Sequence, residues 1–288
     1  MSLKPDIPSP GLTDDGREIV VCRSKDGTYL IFDITVENGD MLNVKESLYG
    51  KGLQCKVDAD DFPSLAKNGL HYESELVRLT SITGKPIAEI TAIARPMGYS
   101  RAGFMAADED IISVLKGDNR LVQTLGLMHP QTAAPLFHVW NIILAGISQG
   151  IWINEQFPVD YLLYNSHKIY LKWQGRGWQE SIFNDEILGQ YHLEMERELD
   201  PDEKAFLGDK YSELPKDEMA DFIRKLSYIH TGEMVPYYTM RYGFYEGHTD
   251  FRADPIAIAF IFGLRSIEEI ENSFNGKLYQ VLTTTFSM

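Results

Sequence analysis

The chain has 288 residues, of which 44% are apolar, and this is enough for one large domain or two modest ones with a substantial core. No apolar run approaches the roughly 20 residues that a membrane-spanning helix needs, so we expect no such span. The formal net charge is −15, and a field of that sign repels phosphate backbones and anionic lipid headgroups. Nucleic acid and membrane surfaces are therefore not expected as partners.

The first third of the chain has the alternating apolar and polar residues of half-buried strands. This alternation runs through residues 17–47, where Asp26-Gly27 and Asn38-Gly39 are pairs that tight hairpin turns favour. We expect an antiparallel meander in this region. Helix start and stop signals then predict one helix over residues 60–69 and a second over residues 73–83.

The segment 95–100 contains a proline and a glycine, which interrupt both helical and strand patterns. We place a boundary there. The predicted organisation is an N-terminal extension over residues 1–16, a strand-rich domain or subdomain over residues 17–96, and a mixed, mainly helical α/β domain over residues 97–288. The predicted fold class is α+β, with a central β-meander inside the mainly helical region.

Signals for helices and strands follow one another after this boundary. The acidic run that includes Asp110 predicts a short helix over residues 108–117, and His129-Pro130 opens a longer helix with one apolar face. Strand patterns return over residues 161–183. The Gly175-Arg176-Gly177 segment within them is expected to be a hairpin turn, since no helix follows it as a nucleotide-binding motif would require.

Four cap signals predict the helices of the last third. Asp200 precedes a proline and suits an N-cap, Pro215 precedes an amphipathic stretch, and Ser266 begins a capping box. Asp254 precedes the almost wholly apolar stretch 256–262. A helix that is apolar on all sides must be buried.

The negative charge is concentrated in residues 180–221, which contain fourteen acidic and four basic residues and so carry −10 of the total. One interpretation is a solvated face that keeps the protein dissolved. The alternative is a non-catalytic interaction protein that binds a basic protein through this segment.

The densest cluster of residues suited to chemistry is the segment 237–254, which is expected to be a loop. It contains six aromatic residues, two arginines, one histidine and three acids, interrupted by two glycines. Aromatic walls with a few convergent polar groups are typical of small-molecule pockets. No glycine-rich phosphate loop, paired CxxC, HExxH or GxSxG motif is present in the chain.

Glu246 and His248 are the predicted catalytic residues of this loop. They lie two positions apart, so in an extended segment both side chains can point the same way and act as an acid–base pair. The reaction class that this pair suggests is hydrolysis of a small polar substrate. The predicted ligand-binding residues of the same loop are Arg241, Tyr242, Tyr245, Phe251, Arg252 and Asp254.

Several of these residues have a second interpretation. Asp254 is also the natural N-cap of the helix that follows it, and both Arg241 and Arg252 can pair with acids inside the protein. His230 could join Glu246 and His248 in a metal shell, but the spacing matches no standard ligand pattern, so no metal is assigned. A further alternative is that the whole cluster only holds the fold together.

The functional expectation is therefore small-molecule binding or hydrolysis at residues 237–254, with the acidic interaction protein as the alternative. The cofactor is unknown. The start of the chain, residues 1–5, lacks the charged and apolar regions of a secretory signal. A cytoplasmic location is the default expectation, and the alternative is that residues 1–3 replace a secretory signal.

Overall fold

A computed structural model describes residues 11–12, 17–24, 29–35, 79–148, 159–184 and 188–284. Its class is α+β, as predicted from the sequence. The helix predicted over residues 60–69 and the two predicted hairpin turns near the N-terminus lie outside the described residues. Within them, no helix is both long and apolar enough to cross a bilayer.

The strands form one antiparallel sheet. Their bounds are β1 Gly11–Leu12, β2 Arg17–Ser24, β3 Tyr29–Thr35, β4 Val159–Tyr164, β5 His167–Glu180, β6 Leu188–Arg197 and β7 Tyr228–Gly232. β2 pairs with β1, β3 and β4, and the sheet then continues in the order β4, β5, β6, β7. The sheet therefore joins the N-terminal strands to the central meander.

The helices lie mainly in the second half of the chain. Their bounds are α1 Leu79–Thr83, α2 Ile87–Ala94, α3 Ile111–Thr124, α4 His129–Ser148, α5 Pro201–Lys210, α6 Lys216–Ser227, α7 Val235–Tyr242, α8 Pro255–Ile261, α9 Ile267–Ser273 and α10 Leu278–Thr284. The cap signals read from the sequence are confirmed at α5, α8 and α9. The Asp200 and Ser266 side chains each complete a capping box.

The hairpin turn predicted at Gly175 to Gly177 is wrong. β5 runs through these residues and pairs with β6 on both sides of them, with a register irregularity between Gly175 and Gln179. Glycine in a strand often marks such a bulge, because it permits a local bend that a side chain would oppose. β6 itself was not anticipated. Its buried Leu193 and Met195 alternate with charged residues within the acidic segment.

The predicted end of α3 at Gly117 is also wrong. The helix begins after Asp110, whose carboxylate accepts a hydrogen bond from the Ser113 N–H at 3.0 Å, and it continues to Thr124. Gly117 is exposed and costs the helix only about 1 kcal/mol relative to alanine. The residues beyond it, including Asp118 and Val122, are buried and hold the last two turns against the core.

α8 is the centre of the main hydrophobic core. Every residue from Pro255 to Ile261 is buried, as the sequence predicts for a helix apolar on all sides. It packs against α3, α4, α6 and β7. Because α8 is held on several sides, the residues just before it are attached to a rigid support.

α7 and the adjoining aromatic residues form a second core cluster with α2, α3 and α4. Residues 237–242, predicted as the first part of a loop, belong to this helix, so that part of the prediction is wrong. The helix ends at Gly243, which adopts a left-handed conformation with φ of 62°. The irregular segment between the two cores therefore spans only residues 243–254.

Candidate functional site

A cleft of about 580 Å³ opens beside this irregular segment. Its lining residues come from α6 and the segments after it, and they are Asp221, Arg224 and Lys225 on α6, Tyr228 and His230 on β7, and His248, Thr249, Asp250, Arg252 and Asp254 on the irregular segment. The volume lies within the range of about 300–1,000 Å³ typical of small-molecule sites.

His248 lies in this cleft and is held by Glu109. One oxygen of the Glu109 carboxylate contacts Nδ1 of the His248 ring. The other accepts the backbone N–H of His248 at 2.9 Å and that of Ala106 at 2.6 Å. The side chain of His248 stays 29% exposed, so the imidazole is anchored at one end while part of it faces the cleft.

The environment of Glu109 keeps it ionised. Burial alone would raise its pKa, but the hydrogen bonds from the His248 ring, the Ala106 N–H and the His248 N–H together lower the pKa to about 2. An ionised carboxylate can only accept hydrogen bonds. Nδ1 of His248 must therefore carry the proton, and in a neutral imidazole this makes Nε2 the nitrogen that can accept one.

Arg252 lies at the wall of the cleft and is fixed by three internal interactions. Its guanidinium donates to Asp118 at 2.5 Å, to Asp254 at 3.1 Å and to the backbone carbonyl of Glu246 at 2.6 Å. Internal pairing, the alternative interpretation from the sequence, is therefore present, although Asp118 was not among the expected partners. Asp254 also caps α8, since its carboxylate accepts the Ile256 N–H at 2.8 Å.

Asp118 and Arg252 are both almost completely buried. Burial raises the pKa of Asp118 to about 6, although the charge and hydrogen bond of Arg252 act in the opposite direction. The neighbouring carboxylates of Asp118 and Asp254 raise the pKa of Arg252 above its usual value despite its burial. The guanidinium is thus permanently charged and lies between two carboxylates.

A second polar chain fixes Tyr245, which is buried beneath the irregular segment. Its hydroxyl lies 2.9 Å from Nδ1 of His129 and 2.6 Å from Oγ1 of Thr132. Nε2 of His129 lies 3.1 Å from the side-chain oxygen of Asn119. His129 is therefore a hydrogen-bonded residue of the interior, and Tyr245 does not line the cleft.

Glu246 lies on the other side of the segment from His248. It is buried, has a left-handed backbone with φ of 64°, and accepts a hydrogen bond from Thr249 Oγ1 at 3.2 Å. Burial raises the pKa of Glu246 well above its usual value. It lines a separate chamber of about 20 Å³ together with His192 and Glu233. The two predicted catalytic residues therefore face different cavities.

The remaining predicted ligand-binding residues have varied positions. Tyr242 stacks on Phe183 with ring centroids 3.8 Å apart and is buried in the second core. Phe251 is partly exposed and packs against the rings of His192 and His230 at 4.5 Å and 4.4 Å. Arg241 is a residue of α7, and its side chain lies outside the described part of the chain.

The residues weighed for a metal shell do not come together as a set. His230 and His248 both line the cleft, whereas Glu246 lines the small chamber. Across the described ranges, no three or more His, Cys, Asp or Glu side chains are arranged to hold a metal ion.

Sequence reasoning missed the residues that reach this site from distant parts of the chain. Glu109 and Asp118 belong to α3 and the turn before it, and Arg224 and Tyr228 belong to α6 and β7. The sequence did carry one signal for each of Glu109 and Asp118. Glu109 stands next to a helix cap, and Asp118 falls on the apolar face of α3, where a buried acid requires a partner.

Comparisons with protein-family models, with curated proteins and with solved structures give no match to this chain.

Proposed function

We propose that the protein binds a small polar molecule in the 580 Å³ cleft and hydrolyses it with His248 as the general base. The observation that supports this most strongly is the Glu109–His248 contact beside the cleft. A carboxylate that accepts Nδ1–H of an imidazole fixes the tautomer in which Nε2 is the basic nitrogen, and this is the arrangement that general bases use in hydrolytic sites.

Nε2 of His248 is buried in this structure, so in the proposed reaction the irregular segment shifts when the substrate binds and lets a water molecule lie between Nε2 and the electrophilic atom of the substrate. The water oxygen forms the new bond while its proton passes to Nε2. The bond to the leaving group then breaks, and the proton on Nε2 passes to that group. Glu109 stays ionised throughout and stabilises the imidazolium that forms between the two steps.

The polarity of the cleft supports a polar ligand of low net charge. Its lining contains three basic residues and three acidic residues, whose formal charges cancel. Two of the acids are already paired, Asp221 with Lys225 at 2.8 Å and Asp254 with Arg252 at 3.1 Å. Glu246 is a supporting residue in this proposal, because its buried carboxyl holds the irregular segment through Thr249.

The test is turnover of a panel of small chromogenic substrates: nitrophenyl acetate, nitrophenyl phosphate and aminoacyl nitroanilides. The expected result is hydrolysis of one class by the wild type and a loss of about 10²–10⁴-fold in His248→Gln. His167→Gln is the matched control, since His167 is partly exposed but lies outside the cleft. No turnover by the wild type, or equal loss in both variants, would contradict the proposal.

The acidic segment supports a second candidate function, binding of a basic protein. Of the twelve acids of this segment that the structure describes, ten are exposed: Glu180, Glu196, Glu198, Asp200, Asp202, Asp209, Glu213, Asp217, Glu218 and Asp221. Binding of a basic protein such as a histone mixture should then weaken steeply as salt rises from about 50 to 500 mM. Retention that does not change with salt would count against this candidate.

A further inference from the structure

The charged residues of the cleft divide into those that are compensated and those that are not. Lys225 pairs with Asp221 at 2.8 Å, so this pair adds little net charge. Arg252 lies between Asp254 and Asp118, which together outnumber its single positive charge. The wall of the cleft at Arg252 is therefore negative overall.

Arg224 and Asp250 are the two other charged side chains to consider in the cleft lining. In the part of the chain that the structure describes, neither Arg224 nor Asp250 has an oppositely charged side chain within ion-pair distance. Both are exposed. The guanidinium of Arg224 lies 5.0 Å from the centre of the Tyr228 ring, which holds it against the cleft wall.

These two residues come from different elements of the cleft lining. Arg224 belongs to α6, whereas Asp250 belongs to the irregular segment that also carries Asp254 and Arg252. A purely anionic ligand would meet Arg224 favourably but would face Asp250 and the negative Arg252 wall. A purely cationic ligand would be attracted to Asp250 and to the negative lining at Arg252, but it would be repelled by Arg224.

We infer that the ligand of this cleft is a zwitterion, a small molecule with a carboxylate at one end and an ammonium group at the other, as in amino acids and dipeptides. Arg224 takes the carboxylate, because its planar guanidinium can donate two parallel hydrogen bonds to it. Asp250 takes the ammonium group. This inference deepens the proposed function and rests on the same cleft.

The test compares one dipeptide with its two blocked forms. The probes are glycyl-tyrosine, N-acetyl-glycyl-tyrosine, which lacks the ammonium group, and glycyl-tyrosine amide, which lacks the carboxylate. Binding is measured by calorimetry and by shifts of cleft amide signals in NMR spectra. We expect each blocked form to bind at least about tenfold more weakly, since it loses a hydrogen bond between two charged groups.

Two variants test which residue binds the carboxylate of the ligand and which binds its ammonium group. Asp250→Asn should abolish the preference for the free amine over its acetylated form, and Arg224→Gln should abolish the preference for the free carboxylate over its amide. Asp209→Asn and Arg120→Gln are matched controls, because both residues are exposed and lie outside the cleft. The controls should keep both preferences.

The outcomes separate this inference from the proposed function. Equal binding of all three probes, or no binding of glycyl-tyrosine, overturns the zwitterion, and hydrolysis of nitrophenyl esters that depends on His248 would then still support the proposed function. Binding with the expected preferences but no hydrolysis of any substrate upholds the zwitterion and removes the hydrolytic step. Preferences that survive Asp250→Asn and Arg224→Gln place the zwitterion elsewhere and overturn the inference.

Discussion

The Glu109 carboxylate contacts the imidazole of His248 across 139 positions of sequence. The same carboxylate also accepts the backbone N–H of His248, so it fixes both the ring and the chain that carries it. The turn before α3 and the irregular segment before α8 are therefore joined at the cleft. Glu109 therefore helps to fix the geometry of His248.

Glu109→Gln tests that dependence through stability. The pKa of Glu109 falls from 4.5 to about 2 on folding, so the ionised group stabilises the fold above about pH 4.5, and this stabilisation is lost as the pH falls toward 2. We expect the variant to be less stable than the wild type by about 2 kcal/mol at pH 7, after allowance for solvent screening at this partly exposed site. Urea unfolding across pH 2–7 measures it.

The difference in unfolding free energy between wild type and Glu109→Gln should shrink as the pH falls through this window. Glu198→Gln, at an exposed glutamate, is the control and should show no such trend. A constant difference at all pH values would mean that the charge of Glu109 is not what stabilises the contact.

Gly247→Ala should disturb the same contact sterically. A Cβ at this position would collide with the Glu109 carboxylate and would lie only 2.8 Å from the Cα of Met105. We expect a loss of about 1–3 kcal/mol, together with loss of any activity that needs His248. Gly208→Ala in α5 is the control. A Cβ there meets nothing within 4 Å, so that variant should be up to about 1 kcal/mol more stable in thermal unfolding.

Arg252→Met should be among the most destabilising single changes at the site. It leaves the buried carboxylates of Asp118 and Asp254 without their cation, and removing one partner of a buried ion pair costs about 3–5 kcal/mol. Adding Asp118→Asn to this variant should recover part of the loss in a double-mutant cycle. Lys225→Met, which breaks the more exposed pair with Asp221, should cost only about 0.5 kcal/mol. Equal losses in the two variants would contradict the buried network.

Asp254→Ala should cost more than the loss of an ordinary helix cap. The residue caps α8 and also pairs with Arg252, and it is only 5% exposed. Ser266→Ala removes the exposed cap of α9 alone and should cost about 1 kcal/mol. We expect at least twice that loss for Asp254→Ala in urea unfolding. Similar losses would mean that the pairing with Arg252 contributes little.

The sequence predicted what depends on local chemistry. Asp254 and Ser266 cap the expected helices, and the apolar stretch after Asp254 is buried, because caps and hydrophobic periodicity act within a few residues. The turn predicted at Gly175 and the helix end predicted at Gly117 are wrong. Strand pairing across a bulge and core packing beyond the glycine outweigh the local tendency of glycine to end an element.

The candidate site was only partly predictable for a related reason. The sequence drew attention to His248 and Arg252, but the residues that orient them, Glu109 and Asp118, come from α3 and the turn before it. Pairing of His248 with Glu246 rested on their spacing in an extended chain. The left-handed backbone of Glu246 turns that residue away toward a different cavity, and no local pattern predicts this conformation.

The most direct measurement is the protonation state of the two ring nitrogens of His248, from long-range ¹H–¹⁵N NMR correlations at about pH 8.5, where imidazoles are generally neutral. Our account predicts a proton on Nδ1 and a bare Nε2 in the wild type, and loss of this single form in Glu109→Gln. A proton on Nε2 of the wild type would contradict the proposal, because Nε2 of His248 could not then act as the base.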